Sequence, residues 1–196
     1  AELTVAARAA VEGRLSADDE RTRDALQLVL QVGTSAGGAR PKASVVDEFG
    51  RLWIAKFPST RDDYDVGGWE FVVNALALNC GLRVATGMAR RYASDHHCFL
   101  VKRFDRTERG GRHHFASAMT MTNRVDGDDA STGASYLELA EVIMEHGSEP
   151  NADLRELWSR IVFNILVSNT DDHLRNHGFV LDPGRGWRLS AAYDMN

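Results

Sequence analysis

The stretch SNTDDHLRNHGF packs two Asp, two His, two Asn and an Arg into twelve residues, 168–179, directly after the apolar run IVFNILV. Metal binding, acid–base chemistry, anion binding and a solvated turn would each account for such crowding. His173 and His177 stand four apart, a helical spacing that zinc ligands use. No H-E-x-x-H pattern and no nearby Cys accompanies them, which argues against zinc. Asp171 and Asn176 stand five apart. Phosphoryl transfer needs one carboxylate to orient and deprotonate an attacking hydroxyl, and an oxygen ligand for Mg2+ a short loop later. This spacing offers both. On spacing alone a set of turn and capping residues is an equal reading, because Asp and Asn populate loops generally.

Other residues extend the first reading. Asp194, at the end of the strand-like RLSAAY, would add a hard oxygen ligand for Mg2+ beside Asn176; taken alone it is also an ordinary turn residue. Lys56 lies inside LWIAKF, an apolar strand in which a charge is costly unless paired. Its neighbours Ala55 and Phe57 point to the opposite face. A strand lysine directed at a nucleotide phosphate and held by a helical carboxylate is the kinase arrangement. Glu70, expected on the first turn of the next helix, is the available partner. An edge-strand lysine reaching water is the alternative. In TSAGGARPK, residues 34–42, Gly37 and Gly38 offer backbone amides and freedom to cradle phosphate, and Lys42 offers charge. This segment matches neither G-x-x-x-x-G-K-[ST] nor G-x-G-x-x-G.

The elements that must position these residues follow from periodicity. Residues 2–13 and 18–31 read as helices, the second with Ser16 or Asp18 as its cap and Ala25, Leu26, Val29 and Leu30 on one face. Gly33, Gly37 and Gly38 end the helical pattern. Val45–Val46, a turn near Glu48–Gly50, and Leu52–Phe57 read as a hairpin. A polar loop over 59–68 leads into a helix over Trp69–Cys80, stopped by Gly81. MARRYAS and HHCFLVKRFDR read as paired strands around Ser94–Asp95. Residues 106–134 read as polar loop. Tyr136–Glu145 and Leu154–Val167 read as amphipathic helices with Ser148–Asn151 between them. GFVLDPGRGWRLSAAYD reads as a hairpin turning at Pro183–Gly186. Strands gather early and helices late, an α+β pattern in two unequal parts.

At 196 residues and 43% hydrophobic, the chain is long enough to bury a sizeable core. A net charge of -5, from 23 basic and 28 acidic residues, gives no footprint for nucleic acid. Cys80 and Cys98 make no disulfide framework. No run reaches the length of a membrane span, and the Ala-rich start is too polar for a signal peptide, so a cytoplasmic setting is the default expectation. The ending RLSAAYDMN reads as the edge of a truncated piece.

SAGGARPK, LWIAKF, the helix opening with Trp69–Glu70, FLVKRFDR, NTDDHLRNHGF and AAYDMN occur in this order. In these pieces the chain resembles the HipA-like family, the serine/threonine toxin kinases of bacterial type II toxin–antitoxin pairs, from about Ser35 onward. The resemblance implies a protein-kinase-like two-lobed fold, C-terminally truncated, with a small β-rich lobe over 1–103 and part of a helical lobe over 104–196. It implies ATP and Mg2+ as cofactors. Asp171 would be the catalytic Asp, Asn176 and Asp194 the Mg2+ ligands, and Lys56 the contact to the ATP phosphates. Val101, Lys102 and Arg103 would form the hinge along the adenine. Ser35, in the Gly-rich loop, would be the autophosphorylated residue, with Thr34 its nearest competitor. His173, counted with the nucleotide-binding set, would brace the catalytic loop. The implied partners are a HipB-like DNA-binding antitoxin and a protein substrate, an aminoacyl-tRNA synthetase being the candidate class. No membrane contact is implied, and DNA would be met through the antitoxin.

The chain also departs from the family pattern. It has TDDH where TDGH is also common, which leaves Asp172 either a second carboxylate or a solvated neighbour. RHHFASAMTMTN lacks a Gln–Glu–Asp element found after the hinge in some members, so the target is not carried over. Two other functions stay open: a small-molecule phosphotransferase with the same Asp–Asn–Asp set, and an inactive nucleotide- or partner-binding fragment. Arg175 would neutralise a phosphate or a carboxylate, or face solvent. Arg103 and Arg106 would pair with Asp105 or the acidic loop. His96, His97, His113 and His114 would be exposed, and Trp158 and Trp187 would pack in the core or between lobes.

Overall fold

The computed structural model describes residues 42–59, 61–92, 94–107 and 110–195. The two helices expected before residue 32 and the Gly-rich segment through Pro41, with Ser35, Gly37 and Gly38, lie outside the described residues. Those described divide into two compact units, one of 42–72 and 86–110, the other of 73–85 and 111–195. No helix among the described residues is long and apolar enough to cross a membrane.

The first unit is built on an antiparallel sheet. β1 (Lys42–Val46) and β2 (Leu52–Lys56) form the expected hairpin, followed by β3 (Gly87–Arg90) and β4 (Cys98–Lys102), in the order β1-β2-β4-β3. Strand alternation sends Val45, Trp53, Ala55, Cys98 and Leu100 to one face, where they bury against Phe57. The β1–β2 turn is fixed by Asp47. Its carboxylate accepts from the amides of Phe49 and Arg51 (3.0 and 2.9 Å), from Arg51 Nε (2.6 Å) and from Trp53 Nε1 (3.0 Å).

α1 (Val66–Asn79) starts earlier than periodicity suggests, and the division between the units falls within it. In the sequence Gly67 and Gly68 read as the end of the polar loop over 59–68. In the structure they permit close approach: a Cβ on Gly67 would stand 2.1 Å from the carbonyl oxygen of His97, and one on Gly68 2.6 Å from the Asp65 carboxylate. Asp65 caps the helix by accepting from Gly68 N (3.0 Å), and also accepts from His97 N (2.8 Å) and from the His97 ring. His97 is therefore half-buried and paired, rather than exposed as expected.

In the second unit, residues expected to be loop form β5 (Phe115–Ser117) and the single-turn α2 (Ala118–Met121). The two long helices are α3 (Tyr136–His146) and α4 (Pro150–Leu166). Pro150 sits in the first turn of α4, where its missing N–H costs nothing, so the helix begins before Leu154. β6 (Gly178–Asp182) and β7 (Gly186–Leu189) form the second expected hairpin and complete a sheet of order β5-β6-β7. Leu139, Val142, Ile143, Leu157, Phe179 and Leu189 make its core. Buried charge binds α4 to its surroundings. Asp153, 1% exposed, accepts from Arg83 (2.6 Å), from Arg188 (2.9 and 3.1 Å) and from Leu189 N (2.9 Å). Arg160 donates to Glu156 (2.8 Å) and to the Ser190 carbonyl (2.6 Å). These groups define the inward face of α4 together with Leu157, Phe163 and Asn164. Trp158 lies on the other face at 67% exposure, outside the core.

Candidate functional site

The cationic candidates belong to the first unit. Lys56 ends β2 on the face opposite the core, and its ammonium forms an ion pair with Glu70. The two side chains are 11% and 6% exposed. Glu70 lies in the second turn of α1, not the first, because the helix begins at Val66. The Phe99 ring lies 5.8 Å from Lys56 Nζ. Lys42 stands directly across the β1–β2 ladder from Lys56. Like charges placed so repel each other. Glu70 offsets one of them, and an anion over this face would satisfy both. In the hinge candidates, Val101 is buried and pairs with Ile54, while Lys102 N donates to Thr86 O (2.8 Å). Arg103 pairs with Asp105 through two nitrogens (2.8 and 2.5 Å), as the sequence suggested.

The acidic candidates belong to the second unit. α4 ends in a Schellman motif: Asn169 N donates to Asn164 O (2.9 Å), Ser168 N to Ile165 O (3.2 Å), and Ser168 takes φ +58°. The chain then leaves the helix, and Asp171 is exposed. Asn176 is buried, and its Nδ2 donates to the Asp171 carbonyl (3.0 Å) while its amide donates to His173 O (2.8 Å). The side chain of one candidate thereby holds the backbone of the other. Asp194 is half-buried at φ +57°, a left-handed conformation uncommon outside glycine. The preceding Tyr193 donates its hydroxyl to Arg175 O (2.8 Å), so the segments carrying Asp194 and Asn176 touch. Burial, and then the Asp194 charge, push the Tyr193 hydroxyl up, which keeps it a donor. Gly178 permits this packing: a Cβ there would meet the Phe115 ring at 2.3 Å.

Asp172 is the residue the sequence left without a role, and its side chain is 7% exposed. It accepts from the Tyr136 hydroxyl, from Asn164 Nδ2 (2.7 Å) and from His177 Nε2 (2.9 Å). Burial alone would push its carboxyl up, but the His177, Tyr136 and Asn164 contacts hold it below the usual carboxylate range. It is neither a solvated neighbour nor open to a ligand. His177 is buried and engaged by Asp172, whereas Arg175 pairs with Asp126 (2.5 Å) instead of a candidate site residue. The signal for Asn164 was available in the sequence, because it falls on the α4 face carrying Leu157 and Phe163. Nothing local marked Tyr136.

Among the described residues no group of His, Cys, Asp or Glu is arranged to enclose a metal ion by itself. One carboxylate and one amide oxygen, Asp194 and Asn176, would leave most of a coordination shell to water and phosphate. That donor set suits Mg2+, which keeps several waters and binds through few protein oxygens.

The HipA-like C-terminal domain family matches residues 34–196. The chain belongs to this family. A Sinorhizobium fredii protein bearing the name "Putative kinase Y4dM" is 30% identical over 158 residues, covering 74% of this chain and 37% of that protein. A "Putative kinase" of Haemophilus influenzae is 31% identical over 102 residues, covering 50% of this chain and 30% of that protein. The chain thus spans 30% to 37% of the length of these relatives. The Shewanella oneidensis HipA, solved with HipB and operator DNA, shares the fold with a TM-score of 0.68 at 21% identity, over 82% of this chain and 43% of that one. The Helicobacter pylori proinflammatory kinase CtkA shares it with a TM-score of 0.61 at 18% identity, over 79% of this chain and 54% of that one. The α+β, kinase-like fold of the HipA family expected from the sequence is therefore shown.

Proposed function

We propose that the protein carrying this chain is an ATP- and Mg2+-dependent serine/threonine kinase that transfers the γ-phosphoryl group to a protein hydroxyl. The observation that carries this reading is the hydrogen bond from the buried Asn176 side-chain amide to the backbone carbonyl of Asp171, which fixes the main chain of the residue whose exposed carboxylate is the candidate base. Asp171 would orient the acceptor hydroxyl and take its proton. Asn176 and Asp194 would supply oxygen ligands to Mg2+, which when bound screens the charge of the phosphates. Lys56, held by Glu70, would meet the phosphate oxygens, with Lys42 adding a second positive charge. Val101, Lys102 and Arg103 would lie along the adenine. His173 would brace the loop.

Ser35 would be the site of autophosphorylation, with Gly37 and Gly38 cradling the phosphates. A HipB-like DNA-binding antitoxin would be the partner, supported by the company HipA keeps in the Shewanella structure. To test the reading, the full protein is incubated with γ-labelled ATP and Mg2+, with and without cell extract, beside Asp171→Ala. Label at Ser35 that disappears in the variant is expected. No nucleotide binding and no transfer by the wild-type protein would overturn the assignment.

A further inference from the structure

Asp171 and Asp172 are adjacent, yet one faces solvent and the other is enclosed. The Asp172 carboxylate receives its hydrogen bonds from three separate places: Tyr136 at the start of α3, Asn164 in the last turn of α4, and His177 just before β6. The Tyr136 ring also meets His177 edge-on at 5.8 Å. Asn164 and His177 are 5% and 4% exposed. A buried carboxylate is tolerated when its lone pairs are filled. Filled from these directions, this one can occupy a single position. The next Cα in the chain is only about 3.8 Å away, so fixing residue 172 narrows the space open to residue 171.

We propose that Asp172 is a positioning residue that ties the loop to α3, α4 and His177 and thereby sets where the Asp171 carboxylate stands. The inference rests on the reading of Asp171 as the base of phosphoryl transfer, and its role is to aim that group rather than touch substrate. A carboxylate used only for stability would affect how much protein is folded. One used for aim affects the rate of folded protein.

Two substitutions separate these. Asp172→Ala removes the acceptor. Asp172→Asn keeps the shape: its oxygen still accepts from Tyr136 and Asn164, and its amide donates to His177 Nε2 once that ring carries its proton on Nδ1. In the full protein, with each variant assayed well below its own melting temperature, Asp172→Ala is expected to lower kcat about 10- to 100-fold with KM for ATP within about threefold. Asp172→Asn is expected to recover to within about threefold of the wild-type kcat. Amide hydrogen exchange over residues 169–177, without nucleotide, is expected to speed up in Asp172→Ala and return towards the wild-type rate in Asp172→Asn. Tyr136→Phe removes one donor at the protein surface; should Asp172→Ala fail to fold, it supplies the comparison, with an expected loss of about threefold in kcat.

A wild-type kcat in folded Asp172→Ala, or a loss that only follows the folded fraction while loop exchange is unchanged, overturns the proposal. If the wild-type protein transfers no phosphoryl group, the function proposed above fails, and loop exchange alone decides whether Asp172 orders this segment.

Discussion

The cationic and acidic candidates are held by different means. In the first unit, Lys56 and Glu70 ride on a strand and a helix, and each is buried against the other. In the second, Asp171, Asn176 and Asp194 sit on irregular backbone, placed by side chains that grip main-chain groups and by turns at positive φ. Regular structure fixes a charge at the expense of desolvating it, so its partner becomes part of the fold. A loop can leave its reactive group in water and stabilise only the frame around it. Substitutions in the first unit should therefore move stability and rate together, and those at the exposed acid should move rate alone.

The largest separation is expected at Asp171. Removing a general base costs about 100- to 10,000-fold in kcat. Asp171→Ala should do so with a change in unfolding free energy within about 0.5 kcal/mol, because the side chain is exposed. Urea denaturation beside the phosphoryl-transfer assay reads both. A large loss of stability would place Asp171 in the frame rather than in the reaction. Lys56→Met is next. It keeps the apolar stem but removes the charge that faces Glu70, and breaking one side of a buried pair costs about 3 kcal/mol. It should lower the urea midpoint and abolish transfer together. Retained stability would mean that the ion pair is incidental to the sheet.

Gly67→Ala tests the frame around Glu70. In an open helix this change stabilises by about 1 kcal/mol. Here the added carbon meets backbone, the His97 carbonyl, which cannot swing away. The sign should reverse, to a loss on the order of 2 kcal/mol. A melting temperature at or above wild type would show that α1 and the start of β4 are not in close contact.

Acid titration reaches the same corner of the first unit. Burial raises the Asp65 carboxyl, but the His97 side chain and amide and the Gly68 amide outweigh it and bring it down to about 2. A carboxyl lowered from about 3.9 contributes stability above that pH and loses it as pH falls towards the folded value. The contribution should be complete above about pH 4 and fade between pH 4 and 2. Asp65→Asn should flatten part of the acid unfolding curve in that range. An unchanged curve would show that the cap carries no charge-dependent stability.

The same contrast explains what could be read in the sequence. The Asp171–Asn176 spacing and the lysine in an apolar strand were legible because each is a local pattern, and so was Glu70 as a partner on the following helix. The start of α1 was not, because Gly67 and Gly68 read as part of the polar loop unless the nearby His97 carbonyl is known. The burial of Asp172 was hidden because Tyr136 is 36 residues away from it, and the inward charges of α4 because Arg83 lies 70 residues from Asp153. Trp158 misled because an aromatic on an amphipathic helix suggests core, whereas Asp153 and Arg160 occupy the buried side.

The smallest effect concerns the entrance to the candidate catalytic loop. Ser168 holds φ +58° at the position after the α4 cap, where glycine is common. A left-handed conformation costs a residue with a Cβ about 1–2 kcal/mol, and glycine gives back part of the difference through the freedom of its unfolded chain. Ser168→Gly should therefore stabilise the protein by about 0.5 kcal/mol, keep the Asn169–Asn164 hydrogen bond, and leave kcat close to wild type. A thermal melt and a transfer assay on one preparation check both. If stability rises but kcat falls, the strained turn belongs to the aiming of Asp171 and the loop is set from both its ends. If neither changes, Asp172 and Asn176 suffice to hold the loop, and the turn at Ser168 serves only to end the helix.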